Sequence, residues 1–339
     1  MGLSQSQSIA VILRETRYEK LVGRWATASA AKFRLKLAHA HERELPAGKV
    51  PTRGKSATKT PTNAVLKAAE FDEYEEENVA YRKTIDELRR ELDLGYPLKF
   101  IDRSYLPTFD FRGCVLAVVV GQDGLVANAA KYVGDLPIVA INPDPQRIDG
   151  ILLPFEIRRA RRAVQRTLEG KAKVRQVTLA EVNLNDGQRM LAFNDFFLGC
   201  NSHVSARYTL QVTSQNEAQS SSGIIIATGA GSTGWLSSIF NMVDGFAVWM
   251  GHEPLSHVQM NWEDRRLIWA VREPFKSKCT SASLVAGKID EPEEMIVESL
   301  MPTNGVIFSD GVESDFLEFN SGSIARIKVS QQRAHLVVG

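Results

Sequence analysis

The chain has 339 residues, 44% apolar and 24% charged, enough for two globular domains of about 150 residues each; disordered, collagenous and coiled-coil readings of the whole are excluded. Lys plus Arg is 41 against 40 for Asp plus Glu, a formal charge of +1. No long-range field therefore draws the chain to nucleic acid or to an anionic membrane, and an anionic ligand must be held by local geometry.

In chain order, the pattern predicts a strand over Ile9–Leu13 and a mixed basic helix from about Tyr18 to His41. Residues 46–63, rich in Pro, Gly, Ser, Thr and Lys, predict a flexible basic loop. Gly48 to Ser56 imitates a Walker A loop, but it is one residue too long, contains Pro51 and follows no strand, so it is rejected. An amphipathic helix is expected over 69–92 and a short strand over Lys99–Arg103. Val115–Val120 is apolar on both faces and belongs at the centre of a parallel sheet. A helix over Leu125–Tyr132 and a strand over Pro137–Asn142 complete a β-loop-α-β unit.

From about residue 175 short alternating strands dominate: Val174–Leu179, Arg189–Phe193, Ala206–Val212, Ile224–Ala227, Arg266–Val271, Met295–Ser299, Gly305–Ser309 and Ile324–Val329. One helix interrupts them, starting near Ser232. The expected architecture is a Rossmann-like α/β domain over 1–150 with a parallel sheet, then a β-rich, β-sandwich-like domain over 151–339. Cys114, Cys200 and Cys279 form no C-x-x-C pair and no disulfide framework, which suits a reducing cytoplasm. Neither a signal peptide nor a run of ~20 apolar residues is present, so a cytoplasmic protein without a membrane span is expected.

Four segments could carry chemistry. Gly121-Gln122-Asp123-Gly124 ends the buried strand and opens a helix, where backbone amides and helix dipole favour phosphate. A carboxylate there makes sense if it binds Mg²⁺ or takes a proton from an attacking hydroxyl; the plainer reading is a tight turn capped by Asp123. Thr228-Gly229-Ala230-Gly231-Ser232-Thr233-Gly234 is a second anion-ready helix start, or a capped helix after a loop. Asn194 and Asp195 sit among aromatics, where they need partners; a ribose diol is one, and local amides are another. Asp310-Gly311 follows a strand and by itself is a turn.

In their order and spacing these segments resemble the ATP-dependent NAD kinase family, over about residue 113 to the C-terminus. The family pattern is a GGDG loop, an Asn-Glu pair, a T-x-T-G-S-T-A-Y-like segment and a late Asp-Gly. The resemblance implies transfer of the γ-phosphoryl group of ATP, with Mg²⁺, to the 2′-hydroxyl of NAD. It implies Asp123 as the catalytic residue, with Gly121, Gln122 and Gly124 beside the phosphates. Asn194 and Asp195 match the pair that holds the dinucleotide, Thr228, Gly231, Ser232 and Thr233 the cleft lining, and Asp310 and Gly311 the late turn. It also implies a homo-oligomer and admits a last strand that returns to the first domain. Departures are Gln122 for glycine, Asp195 for glutamate, Ser222 for aspartate and Gly234-Trp235 for Ala-Tyr. A kinase for another small hydroxyl substrate, sugar or lipid, and a catalytically silent nucleotide-binding protein are the alternatives.

Residues 156–175 carry eight basic and two acidic side chains, by default a solvated helix face. His203, His252 and His257 lack i, i+4 pairing, and no structural metal is assigned. Trp235, Trp249, Trp262 and Trp269 are expected in the core or at a subunit interface.

Overall fold

A computed structural model of the chain describes residues 7–42, 63–254 and 258–339. Its first strand, β1 (Ser8–Leu13), is buried and leads into α1 (Arg17–Trp25). Thr16 caps that helix: its hydroxyl accepts the Glu19 amide, and the Glu19 carboxylate accepts the Thr16 amide, satisfying donors that a helix start leaves open. The single helix expected from Tyr18 to His41 is two. Ala26 turns left-handed (φ 65°) after α1, and α2 (Ala28–Glu42) follows. Neither glycine nor proline stands at that break, so the residue pattern runs through it. Residues 46–62 of the predicted loop lie outside the described residues, as does His257; the loop's last residue, Asn63, opens α3 (Asn63–Glu91).

After β2 (Leu98–Asp102), the expected unit is present as β3 (Cys114–Val120), α4 (Asp123–Ala130) and β4 (Pro137–Asn142). β5 (Phe155–Glu156) feeds α5 (Ile157–Leu168). Strands then dominate: β6 (Val174–Leu184), β7 (Arg189–Ala192), β8 (Asp195–Cys200), β9 (Ala206–Val212), β10 (Gln215–Ser221) and β11 (Ile224–Ala227). A 3-10 turn (Ala230–Thr233) precedes α6 (Trp235–Trp249). β12 (Arg266–Val271), β13 (Ala286–Asp290), β14 (Glu294–Ser299), β15 (Gly305–Ser309), β16 (Phe316–Glu318) and β17 (Ile324–Val337) complete the order.

The strands form two sheets. The larger runs β10-β9-β14-β17-β4-β3-β1-β2, with β5 beside β4, β6 beside β17 and β7 beside β6. Its β2-β1-β3-β4-β5 half is parallel. Alternate residues of its strands bury against α4 on one face (Ala117 and Val119 with Leu125 and Val126) and against α3 and α5 on the other (Leu116 and Val118 with Leu88 and Val164). This two-sided burial is what an uninterrupted apolar strand demands. The second sheet, β13-β12-β11-β8-β15-β16, is antiparallel. It shares a sandwich-like core with the antiparallel half of the first, where Phe196, Ile226 and Trp269 meet Val182, Leu210 and Val297. The fold class is therefore α/β joined to a β-rich half, as expected. β17 pairs antiparallel with β14 and β6, then parallel with β4 through His335 and Leu336.

The four tryptophans separate. Trp269 is core, Trp235 and Trp262 are half-buried, and Trp249 at the end of α6 is 81% exposed. Among the described residues no helix is long and apolar enough to cross a membrane.

Candidate functional site

The chain leaves the first sheet at the end of β7 and enters the second at β8. Phe193 and Asn194 lie between the two strands, and their buried backbone groups need partners from elsewhere. The Asp310 carboxylate accepts both amides, Asn194 N at 2.6 Å and Phe193 N at 3.2 Å. Thr228 serves the carbonyls: its hydroxyl donates to Phe193 O at 2.5 Å and its amide to Asn194 O at 2.8 Å. That hydroxyl also accepts the Gly231 amide at 3.2 Å, while the Asp310 amide donates to Asp195 O at 2.9 Å. Three of the four motifs thus meet in one knot. Asp310 and Gly311 hold it by turning left-handed (φ 54° and 68°), a conformation aspartate tolerates locally and glycine adopts freely.

The first motif joins this knot through a residue that sequence reasoning passed over. Lys131 follows α4 and is buried; its Nζ donates to Ser309 Oγ at 2.7 Å and lies 3.4 Å from Asp310 Oδ2. Its only signal in the sequence is a lysine ending an otherwise small and apolar helix. Beside it, the Tyr132 hydroxyl donates to Asp315. Burial pushes the Asp310 carboxyl above its ordinary range, opposed by Lys131 and the two amides. Asp195 is pushed up to about 7, first by burial and then by the charge of Asp310. Among the described residues its carboxylate has no hydrogen-bond partner.

The two glycine loops differ sharply. At α4 the N-cap is Gln122, without a side-chain cap bond, and Asp123 is the first helical residue; the turn is not capped by Asp123. Instead Asp123 Oδ1 accepts the Leu152 amide at 2.6 Å. The amides of Gln122, Asp123 and Gly124 have no partner among the described residues, and a Cβ added at Gly124 would meet nothing within 4 Å. In the second loop, a Cβ at Gly229 would stand 1.9 Å from Asn261 O, and one at Gly231 2.0 Å from Asn194 O. Its amides are engaged too, Gly231 N on Thr228, Ser232 N on Gly229 O and Gly234 N on Gly231 O. The Ser232 hydroxyl turns back to Gly229 O at 2.7 Å, and Thr233 is exposed. The amides of Gly231, Ser232 and Gly234 are thus spent within the loop itself.

A cleft of about 660 Å³ opens where the first loop faces the late turn. Gln122, Asn128 and Tyr132 line one side, Gly311 to Asp315 another, and Arg14, Arg17, Lys20 and Arg103 reach in from β1, α1 and the end of β2. Glu77 holds Arg14 at 2.5 Å and Arg17 at 2.7 Å; burial would raise its carboxyl, but the two guanidinium groups hold it below the ordinary range. Lys20 and Arg103 have no acidic partner among the described residues. Asn128 Oδ1 and Arg14 Nε, in two residues that line the cleft, are buried without a hydrogen bond. Glu15, Asp102, Glu313 and Asp315 also line it, so its charge is mixed. Of the residues expected from sequence, Gln122 and Gly311 line this cleft; Gly121, Asp123 and Gly124 lie in the adjoining loop, and Asn194, Asp195 and Thr228 in the knot behind it.

No family model matches the chain, and no curated protein sequence does. Among solved structures it is similar to yeast NADH kinase complexed with NADH, at TM-score 0.52 and 14% identity over 99% of this chain and 84% of that one. It is also similar to an NAD kinase from Archaeoglobus fulgidus in complex with ATP, at TM-score 0.50 and 17% identity over 76% of this chain and 88% of that one. The chain has an NAD kinase-like fold.

Proposed function

We propose that the chain is an NAD kinase-like phosphotransferase that moves the γ-phosphoryl group of ATP to the 2′-hydroxyl of NAD. The observation that carries this reading is the set of unpartnered amides at Gln122–Gly124, at the C-terminal end of a central parallel strand and opening on a cleft with unpaired Lys20 and Arg103. Convergent amides at a helix N-terminus bind phosphate, and open α/β sheets bind ligands at that end of their strands.

In this reading the triphosphate lies in the cleft. Mg²⁺ neutralises its charge when bound. Glu313, a carboxylate of the cleft wall, would hold the ion from the protein side while phosphate oxygens and water supply its other ligands. Asp123 keeps Oδ1 on the Leu152 amide and turns Oδ2 to the acceptor hydroxyl, whose proton it takes as the phosphoryl group leaves ATP. Asn194 and Asp195 grip the acceptor ribose. The reading includes a cytoplasmic homo-oligomer, with the exposed Phe246, Trp249 and Met250 of α6 in its contact; sedimentation should show Phe246→Glu dissociating it.

Incubation with ATP, Mg²⁺ and NAD, followed by chromatography for NADP, tests the activity. ATP binding without phosphorylation of NAD or NADH would instead support the silent nucleotide-binding reading, which Gln122 in place of glycine and Ser222 in place of aspartate favour. Turnover of a sugar or lipid hydroxyl would support the other alternative.

A further inference from the structure

The arginines of α5 are sorted by face. Arg158 pairs with Glu156 at 2.8 Å, and Arg161 donates to the Glu91 carbonyl at 3.1 Å. Arg159, Arg162 and Arg166 follow one another along a single stripe, and none makes a direct ion pair among the described residues; Arg159 and Arg166 feel Glu156 and Glu169 only at longer range, and Arg166 donates to the Lys171 carbonyl. Like charges one turn apart destabilise a helix, and no direct ion pair offsets the repulsion along this stripe.

The stripe overlooks a cavity of about 510 Å³, walled further by Lys173 and lined below by the buried Phe155 and Val337. No acidic side chain lines it, and it shares no residue with the cleft at Gln122. Its size is that of a small-molecule pocket. Guanidinium forks match phosphate, sulfonate and carboxylate oxygens, and the apolar base asks for something other than water.

We propose that this cavity is a second binding site, for a small organic polyanion whose anionic groups meet the arginine stripe and Lys173 while a flat apolar body covers Phe155 and Val337. The site does not depend on the phosphotransferase reading. Its concave shape and apolar base fit a compact ligand better than a nucleic acid strand, which would track an open groove.

Pyranine, a planar aromatic trisulfonate, is the probe, followed by fluorescence anisotropy on the full chain. Saturable binding is expected, weakened about tenfold in the Arg159→Gln, Arg162→Gln, Arg166→Gln triple variant by loss of three exposed ion contacts, with a melting temperature no lower than that of the wild type because the repulsion along the stripe is relieved. A Lys20→Gln, Arg103→Gln variant of the cleft should bind as the wild type does. Tripolyphosphate, which has no apolar body, should displace the dye only weakly. Equal affinity in the wild type and the triple variant would overturn the proposal, as would loss of binding in the cleft variant. A single-stranded oligonucleotide that displaces pyranine more readily than tripolyphosphate does would assign the stripe to nucleic acid instead.

Discussion

The loops before α4 and α6 read alike in sequence, each a strand, closely spaced glycines and a helix. One keeps Gly124 open and the amides of residues 122–124 free; the other presses Gly229 and Gly231 against Asn261 and Asn194 and uses the Gly231, Ser232 and Gly234 amides internally. Glycine marks a place where something approaches the backbone closely. At Gly124 the space is empty and can take a ligand, whereas at Gly231 the protein itself has filled it. The same motif grammar thus leaves an open backbone in one loop and builds an internal joint in the other.

The largest effect that could break this contrast lies at Asp123. Asp123→Asn still accepts the Leu152 amide, so the melting temperature should hold while kcat falls by ~10²–10⁴, the usual worth of a positioned general base. An active, equally stable variant would remove Asp123 from the chemistry. The joint should respond in the opposite way. Lys131→Met leaves the Asp310 carboxylate buried without its cation and should cost about 3–5 kcal/mol in denaturant unfolding; adding Asp310→Asn should recover part of that, and a single variant as stable as wild type would show that the pair is no clamp.

The glycines sharpen the comparison directly. Gly231→Ala forces a methyl against Asn194 O and should destabilise by about 3 kcal/mol, whereas Gly124→Ala should stay within about 0.5 kcal/mol and act on ATP affinity alone. Equal losses in stability would erase the distinction. The smallest effect is a pH dependence. Asp195 titrates near 7 in the folded chain, above its unfolded value, so the stability tied to its neutral form is complete below the ordinary carboxylate range and is lost as pH rises through about 7. Asp195→Asn should gain in melting temperature relative to wild type as pH rises from about 4 to about 7; a constant difference would place the titration elsewhere.

Much of the fold was legible where local pattern and tertiary burial agree. Ala206–Val212, Ile224–Ala227, Arg266–Val271 and Gly305–Ser309 keep their expected bounds because each is apolar toward a core and closed by turn residues. β8 was hidden in the run LAFNDFFLG, since the polar pair Asn194-Asp195 marks a strand end without naming the sheet that the chain enters next. The break at Ala26 carries no glycine or proline, and the full length of β17 was hidden because polar residues 330–333 and a register shift interrupt its apolar alternation. The four motifs could be found from residue type and spacing, but their meeting at Asp310 depends on contacts across more than a hundred residues, as does the pairing of Lys131 with Ser309. Which glycine loop remains open cannot be read from either loop, because the occupant of Gly231's space is supplied by Asn194.

The path of β17 has a consequence for biosynthesis. His335 and Leu336 join β4, laid down some two hundred residues earlier on the ribosome. The nascent first half therefore waits through most of translation with one flank of its sheet exposed, and seals it only as the final strand arrives. Such an unpaired flank invites aggregation and chaperone capture, so a chain stalled or truncated before residue 324 should emerge as a substrate for quality control rather than as an independently folded half.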